Sequence, residues 1–190
     1  MKFVLLIASF CLFESAFGLF GFTKKYNTHE DPFFPHTNRA QPFAPFVTEE
    51  KWIEQRLDNF NPQDHRMWRM RYLENREHYE PGGPIFIYVG GEWTIGSGSI
   101  SEGSHIYDLA KELNGIIYYT EHRYYGQSHP TNDTSTKNLQ YLTVDQALAD
   151  LAIFVGYARN SSPDLKKAGV FMVGGSYSGK FSDKRQSYRV

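Results

Sequence analysis

The feature that most constrains the fold of this chain is a set of three short apolar runs, at residues 84–89, 116–119 and 170–173. Continuous apolar runs of this length are typical of strands that are buried on both faces of a sheet. Gly90 and Gly91 close the first run, and the third leads directly into Gly174. The sequence therefore predicts three buried strands in succession.

Two helical patterns separate these runs. Over residues 101–113 the apolar positions fall on one face, and Gly115 follows the predicted end; these positions are Ile106, Leu109, Ala110 and Leu113. Thr143 is a suitable N-cap for a second helix, whose apolar positions are Val144, Ala147, Leu148, Leu151, Val155 and Ala158. The alternation of strands and helices predicts an α/β fold, a mostly parallel sheet with flanking helices.

One more strand is predicted ahead of the first apolar run. Trp68, Met70 and Tyr72 alternate with Arg69 and Arg71. Alternation of this kind is the pattern of a strand with one buried and one exposed face.

The N-terminus has the composition of a secretory signal peptide, predicted over residues 1–18. Lys2 gives a positive start, residues 3–13 are apolar, and Ala16-Phe17-Gly18 offers small residues for cleavage. A membrane anchor is the alternative, but it needs roughly 20 apolar residues. The apolar run here is shorter and ends at Glu14.

Other features bear on the compartment and on partners. Cys11, the single cysteine, lies inside the predicted signal, so the mature chain is expected to have no disulfide. Residues 19–47 mix proline and phenylalanine without a period, which predicts an extended leader or a segment that wraps the domain. Asn132 and Asn160 begin glycosylation acceptor triplets. A net charge of -1 gives no reason to expect a nucleic acid or a membrane surface as partner.

The third apolar run ends in Gly174-Gly175-Ser176-Tyr177-Ser178-Gly179. This order matches the nucleophile elbow of α/β-hydrolases, in which a sharp turn from strand to helix exposes a serine hydroxyl. Ser176 is the predicted nucleophile, and the Tyr177 amide is a predicted oxyanion donor. Ser178 stands where the usual pattern has its final glycine.

The glycines after the first apolar run are candidates for a second oxyanion donor. Gly91 occupies the position from which α/β-hydrolases supply that amide, although an ordinary glycine turn is a competing interpretation. The neighbouring Glu92 is a candidate contact for a substrate ammonium group.

His122 and Arg123 follow the second apolar run, but they are predicted to be structural, linking the loops around the site. In α/β-hydrolases the acid and the base follow the nucleophile along the chain, whereas all seven histidines here precede Ser176. No histidine and carboxylate cluster has metal-ligand spacing, so neither a metal nor another cofactor is expected.

Several separated stretches together resemble the secreted serine carboxypeptidase family that contains lysosomal Pro-X carboxypeptidase, dipeptidyl peptidase II and thymus-specific serine protease. They are Gln55-Arg56-Leu57-Asp58-Asn59-Phe60, Gly82-Gly83-Pro84-Ile85-Phe86, Glu121-His122-Arg123-Tyr124-Tyr125-Gly126-Gln127-Ser128, residues 141–150 and Gly174-Gly175-Ser176-Tyr177. The resemblance implies an α/β-hydrolase core over residues 48–179, a helical cap inserted later, and exopeptidase action on peptides near proline. It also implies an acidic lysosomal or extracellular setting, with the acid and base of the triad beyond residue 190.

The last residues depart from that family. Residues 180–190 are polar, with charged side chains at Lys180, Asp183, Lys184, Arg185 and Arg189, where the family has a small and apolar helix. The expectation is a C-terminally truncated member that lacks the triad Asp and His, folds poorly alone and is inactive. Two alternatives stay open: a non-catalytic secreted binding protein on the same fold, and a lipase or esterase.

Overall fold

The computed structural model describes residues 48–175 and 178–179. The predicted signal peptide, the leader, Ser176, Tyr177 and residues 180–190 lie outside the described residues. The strands and helices are β1 (Thr48–Arg56), β2 (Met67–Asn75), β3 (Ile85–Val89), α1 (His105–Leu113), β4 (Ile116–Thr120), α2 (Val144–Asn160) and β5 (Val170–Val173). Short 3-10 helices occupy Ser97–Ile100, Leu139–Tyr141 and Pro163–Lys167.

The strands form one five-stranded sheet in the order β1-β2-β4-β3-β5. β2 is antiparallel to both of its neighbours, whereas β3 runs parallel to β4 and to β5. Four strands therefore point one way and β2 points the other. The predicted α/β class with a mostly parallel sheet is confirmed, and it matches the N-terminal part of an α/β-hydrolase fold.

Each face of the sheet is covered by one helix. On one face Phe154 and Leu151 of α2 pack over β2, β3 and β4, with the Phe154 ring 5.0 Å from the Tyr72 ring. On the other face Ile106 and Ala110 of α1 pack over Phe86 and its neighbours. All five residues of β3 and all five of β4 are buried, as expected for strands with helices on both sides.

The helix caps explain where the two helices begin. Thr143 caps α2 as predicted, since its side chain accepts a hydrogen bond from Gln146 N at 3.2 Å. The helix predicted over residues 101–113 begins only at His105, because Ser104 caps it and Ser97–Ile100 forms a separate 3-10 turn. Leu113, predicted on the apolar face, is 46% exposed, because α1 ends there with Asn114 in the left-handed conformation.

Two features of the first strands differ from the sequence prediction. β1 is an additional strand, paired with β2 from Thr48 to Arg56. In β2, Trp68, Met70 and Tyr72 are buried as predicted, but Arg71 is buried too. The prediction of an exposed Arg71 is wrong because this side chain is paired with a buried carboxylate, as described below. No helix among residues 48–175 is long and apolar enough to cross a membrane.

Candidate active site

Three turns that the sequence associates with chemistry leave the same edge of the sheet. Gly90 and Gly91 follow β3, Glu121 follows β4, and Gly174 follows β5. Because these strands are parallel neighbours, with Tyr88 opposite both Tyr119 and Val173, their carboxyl ends lie side by side. In open α/β sheets, ligands bind in the crevice outside such strand ends.

The turn after β5 is tight, and its described residues show why small side chains are needed. A Cβ on Gly174 would lie 2.7 Å from the Ser178 carbonyl oxygen, so only glycine fits there. Ser178 N and Ser178 Oγ both donate to the Gly175 carbonyl, at 3.1 and 2.9 Å. Ser178 is fully buried and its hydroxyl helps to close the turn, which accounts for serine at the position of the usual glycine.

The segment after β3, residues 90–95, is fixed against β4 at several points. Gly90 N donates to Thr120 O at 2.9 Å, and Trp93 Nε1 donates to the Tyr119 hydroxyl at 2.8 Å. Gly91 is buried, and a Cβ there would lie 2.4 Å from the Trp93 ring. We call residues 90–95 the Gly91 loop; it is held against β4, at the same edge of the sheet as the β5 turn.

Glu121 is a buried carboxylate that accepts from three separate segments. Arg71 binds it with two bonds, Nη2 to Oε1 at 2.8 Å and Nε to Oε2 at 3.2 Å. Gln127 N and Ser128 Oγ each donate to Oε2 at 2.9 Å, and Ile95 N donates to Oε1 at 3.2 Å. The sequence analysis did not predict that Glu121 is a buried hydrogen-bond acceptor. Its position directly after a buried strand could have indicated this.

Arg123 is structural, as predicted, but its partners are not the Gly91 loop. Its guanidinium pairs with Asp150 of α2 and donates to the carbonyls of Leu57 and Tyr141, at 3.1 and 2.8 Å. It also lies 5.5 Å from the centre of the Trp68 ring. Arg123 therefore ties the end of β1 and the turn before α2 to the helix itself.

His122 lies at the same edge but is poorly suited to act as a base. Its Nδ1 donates to Arg123 O at 2.8 Å, and its ring contacts Tyr125 with the ring centres 5.3 Å apart. Burial lowers the pKa of His122 to about 4. A general base works best with a pKa near the working pH, so this histidine is a weak candidate above that value.

Two of the stretches that carry the family resemblance, residues 55–60 and 141–150, meet in one polar network. Asn59 Nδ2 donates to Asp150 Oδ1 at 3.0 Å, and Asn59 N donates to Gln146 Oε1 at 2.9 Å. Gln55 Nε2 donates to the Asp150 carbonyl at 3.1 Å. Polar residues far apart in sequence thus bind each other in buried or half-buried surroundings, where polar side chains usually need such partners.

The remaining candidate residues are Glu92, which lies in the Gly91 loop at this edge, and the two glycosylation acceptors. Asn132 is exposed in the loop that follows β4, and Glu92 is exposed and accepts from the Tyr125 hydroxyl at 3.1 Å. Asn160 is the last residue of α2, and its Nδ2 donates to Gly156 O at 2.8 Å. Within the described ranges, no three His, Cys, Asp or Glu side chains are grouped so as to hold a metal ion.

Comparison with known proteins adds an independent finding. The family model described as Serine carboxypeptidase S28 matches residues 55–188. A probable serine protease of Arabidopsis thaliana is 40% identical over 144 residues, which cover 72% of this chain and 29% of that protein. The lysosomal Pro-X carboxypeptidase of Bos taurus is 33% identical over 145 residues, covering 74% of this chain and 29% of that protein.

Among solved structures, a lidless α/β serine hydrolase of Xanthomonas campestris aligns with a TM-score of 0.34 and 15% identity. That alignment covers 70% of this chain and 53% of the other. The chain spans less than a third of the length of the two curated relatives named above, 29% of each.

Proposed function

Because the chain belongs to the serine carboxypeptidase S28 family, we propose that it forms the nucleophile-bearing N-terminal part of a serine-type exopeptidase. Peptides are the proposed substrates, cleaved near proline. One observation carries the proposal. The glycine turn that precedes Ser176 leaves the sheet beside the Gly91 loop, at the carboxyl ends of adjacent parallel strands.

The proposed chemistry is acyl transfer. Ser176 Oγ attacks the scissile carbonyl carbon, and the amides of Tyr177 and Gly91 stabilise the oxyanion that forms. Gly91 supports this role because its loop is held by Thr120 and Tyr119 of the neighbouring strand. Preorganised donors of this kind matter because they need no rearrangement as charge develops.

A serine hydroxyl needs a base, and this chain is proposed to lack an effective one. Burial lowers the pKa of His122 to about 4, so its ring is neutral at higher pH. Its Nδ1 donates to a backbone carbonyl. We therefore propose that the 190-residue chain alone is inactive, and that the base and its acid partner are supplied by a longer protein. Loss of triad members costs several powers of ten in rate.

The test compares two forms of the protein with a fluorophosphonate probe. The chain itself should label no faster than its Ser176→Ala variant. A longer form that contains the downstream acid and base should label at Ser176 and should hydrolyse proline-containing peptides in preference to simple esters. Rapid labelling of the 190-residue chain would refute the inactivity, and ester preference in the longer form would favour a lipase or esterase.

A non-catalytic secreted binding protein is the second candidate, because burial and its bond to Arg123 O make His122 a weak base. A longer form that is folded but does not react with the probe would favour it.

Glu92, exposed at the same edge, is the proposed contact for a substrate ammonium group.

The secretory pathway is the proposed location, ending in lysosomes or outside the cell. N-terminal sequencing of the secreted product tests cleavage after Gly18. Asn132 is proposed as the better glycosylation acceptor, since it lies in an exposed loop while the Asn160 amide bonds within α2. Asn132→Gln should therefore remove more glycosidase-sensitive mass than Asn160→Gln.

A further inference from the structure

The Gly91 loop is anchored at its far end by a buried ion pair. Ile95 N donates to Glu121 Oε1 at 3.2 Å, and Arg71 Nη2 donates to Ile95 O at 2.9 Å. Glu121 therefore binds the backbone N–H of Ile95, and Arg71 binds its carbonyl. The Arg71 and Glu121 side chains are 6% and 0% exposed, so water does not compete for these bonds.

The pair is itself held in one geometry. Arg71 N donates to Ser128 Oγ, and Ser128 Oγ donates to Glu121, each at 2.9 Å. Gly126 has a φ of 56° and passes so close to Glu121 that a Cβ there would lie 1.9 Å from Oε1. The carboxylate is therefore enclosed by the loop after β4 and cannot move without displacing that loop.

We propose that the Arg71–Glu121 ion pair is a positioning device for the Gly91 loop, setting the place of the Gly91 amide at the reacting edge. The role assigned to that amide rests on the proposed function; the anchoring of the loop does not. Gly90 and Trp93 fix the loop near its start and middle, and the ion pair fixes its end at Ile95. Gly91 lies between these fixed points.

A second buried pair in the same domain provides a matched control. Arg123 binds Asp150 with two bonds and donates to backbone carbonyls, as Arg71 does, but those carbonyls belong to Leu57 and Tyr141. The same substitution at the two arginines therefore loosens different loops if the proposal is right. If weakening any buried ion pair loosened the whole domain, both substitutions would loosen the Gly91 loop equally.

The experiment measures hydrogen exchange in Arg71→Lys and Arg123→Lys variants of the chain. A lysine ammonium keeps the charge but cannot span both Glu121 oxygens and Ile95 O at once. Arg71→Lys should raise exchange in residues 90–95 by about tenfold, the effect of losing one charge-assisted hydrogen bond, and leave α2 unchanged. Arg123→Lys should leave residues 90–95 at parent rates.

Equal exchange of residues 90–95 in both variants would overturn the proposal, and so would a uniform rise across the domain. If either lysine variant does not fold, Ser128→Ala and Asn59→Ala provide a milder form of the same comparison, because each removes a neutral donor to one carboxylate and keeps the ion pair. The exchange result does not depend on activity. A longer form that contains the downstream acid and base but has no peptidase activity would refute the proposed function and leave the anchoring to be judged by exchange alone.

Discussion

Arg123 and Asp150 form a two-bond ion pair inside the domain, with Nε to Oδ2 at 2.7 Å and Nη2 to Oδ1 at 2.8 Å. Their side chains are 0% and 4% exposed. Removing both charges from water costs free energy. The attraction between them offsets that desolvation penalty only when the remaining donors are also hydrogen-bonded. Here they are, because the carbonyls of Leu57, Tyr141 and Arg56 accept the other three guanidinium protons.

Breaking this pair should be strongly destabilising. Asp150→Asn keeps the shape but leaves the buried Arg123 charge uncompensated, so the free energy of unfolding should fall by about 3–5 kcal/mol. Asp64→Asn is the control, because Asp64 also pairs with an arginine, but that arginine, Arg66, is 61% exposed and can be solvated by water. Urea unfolding followed by circular dichroism should show a much smaller effect for the control; similar losses would contradict the argument.

The β5 turn should depend on glycine at one position. Gly174→Ala would place a Cβ 2.7 Å from the Ser178 carbonyl oxygen, so the turn must open and stability must fall. Gly156→Ala is the matched control, since Gly156 lies on the exposed side of α2 with no atom within 4 Å of the added carbon. That change should instead stabilise the helix by about 1 kcal/mol. Thermal unfolding should show a lower Tm for Gly174→Ala and a higher Tm for Gly156→Ala than for the parent.

The sequence predicted the layers of the fold well because they depend on local apolar patterns. The runs that became β3, β4 and β5, and the cap at Thr143, are each visible within a few residues. The α/β class follows from their order. The family prediction is confirmed as well, because it drew on several stretches in the right order.

The sequence did not predict which polar groups are buried together. Arg71 alternates with apolar residues and therefore resembles an exposed position, yet its partner Glu121 lies 50 residues later. Pairing at that distance depends on which strands become neighbours, and local periodicity does not contain that information. The same reason explains why β1 and the Asn59–Asp150 contact were missed.

His122 should make stability depend on pH in a defined window. Its pKa is about 4 in the folded protein and near 6.5 when unfolded, so the unfolded chain binds the extra proton between these values. The stabilisation is complete above about pH 6.5 and is lost as the pH falls towards 4, by about 3 kcal/mol in all. Urea unfolding from pH 7 to pH 4 should show this slope, and His122→Gln should remove it. NMR titration of the ring checks the value directly; a midpoint near 6.5 would contradict the prediction.

The outer edge of β5 should be a site of self-association in this chain. Among the described residues, β5 pairs only with β3, and no described strand lies along its other side. Ile85 N donates to Gly169 O at 2.8 Å, and in a parallel ladder this directs the amide of Val170 outwards and that of Phe171 towards β3. Val170→Pro should therefore block strand addition without removing a bond to β3.

Phe171→Pro removes a ladder bond and should destabilise the domain, while Val170→Ala controls for the lost side chain. Sedimentation velocity at increasing concentration should show association for the parent and for Val170→Ala, and less for Val170→Pro. A parent that stays monomeric would show that this edge is already covered, and equal association of Val170→Pro would place the contact elsewhere.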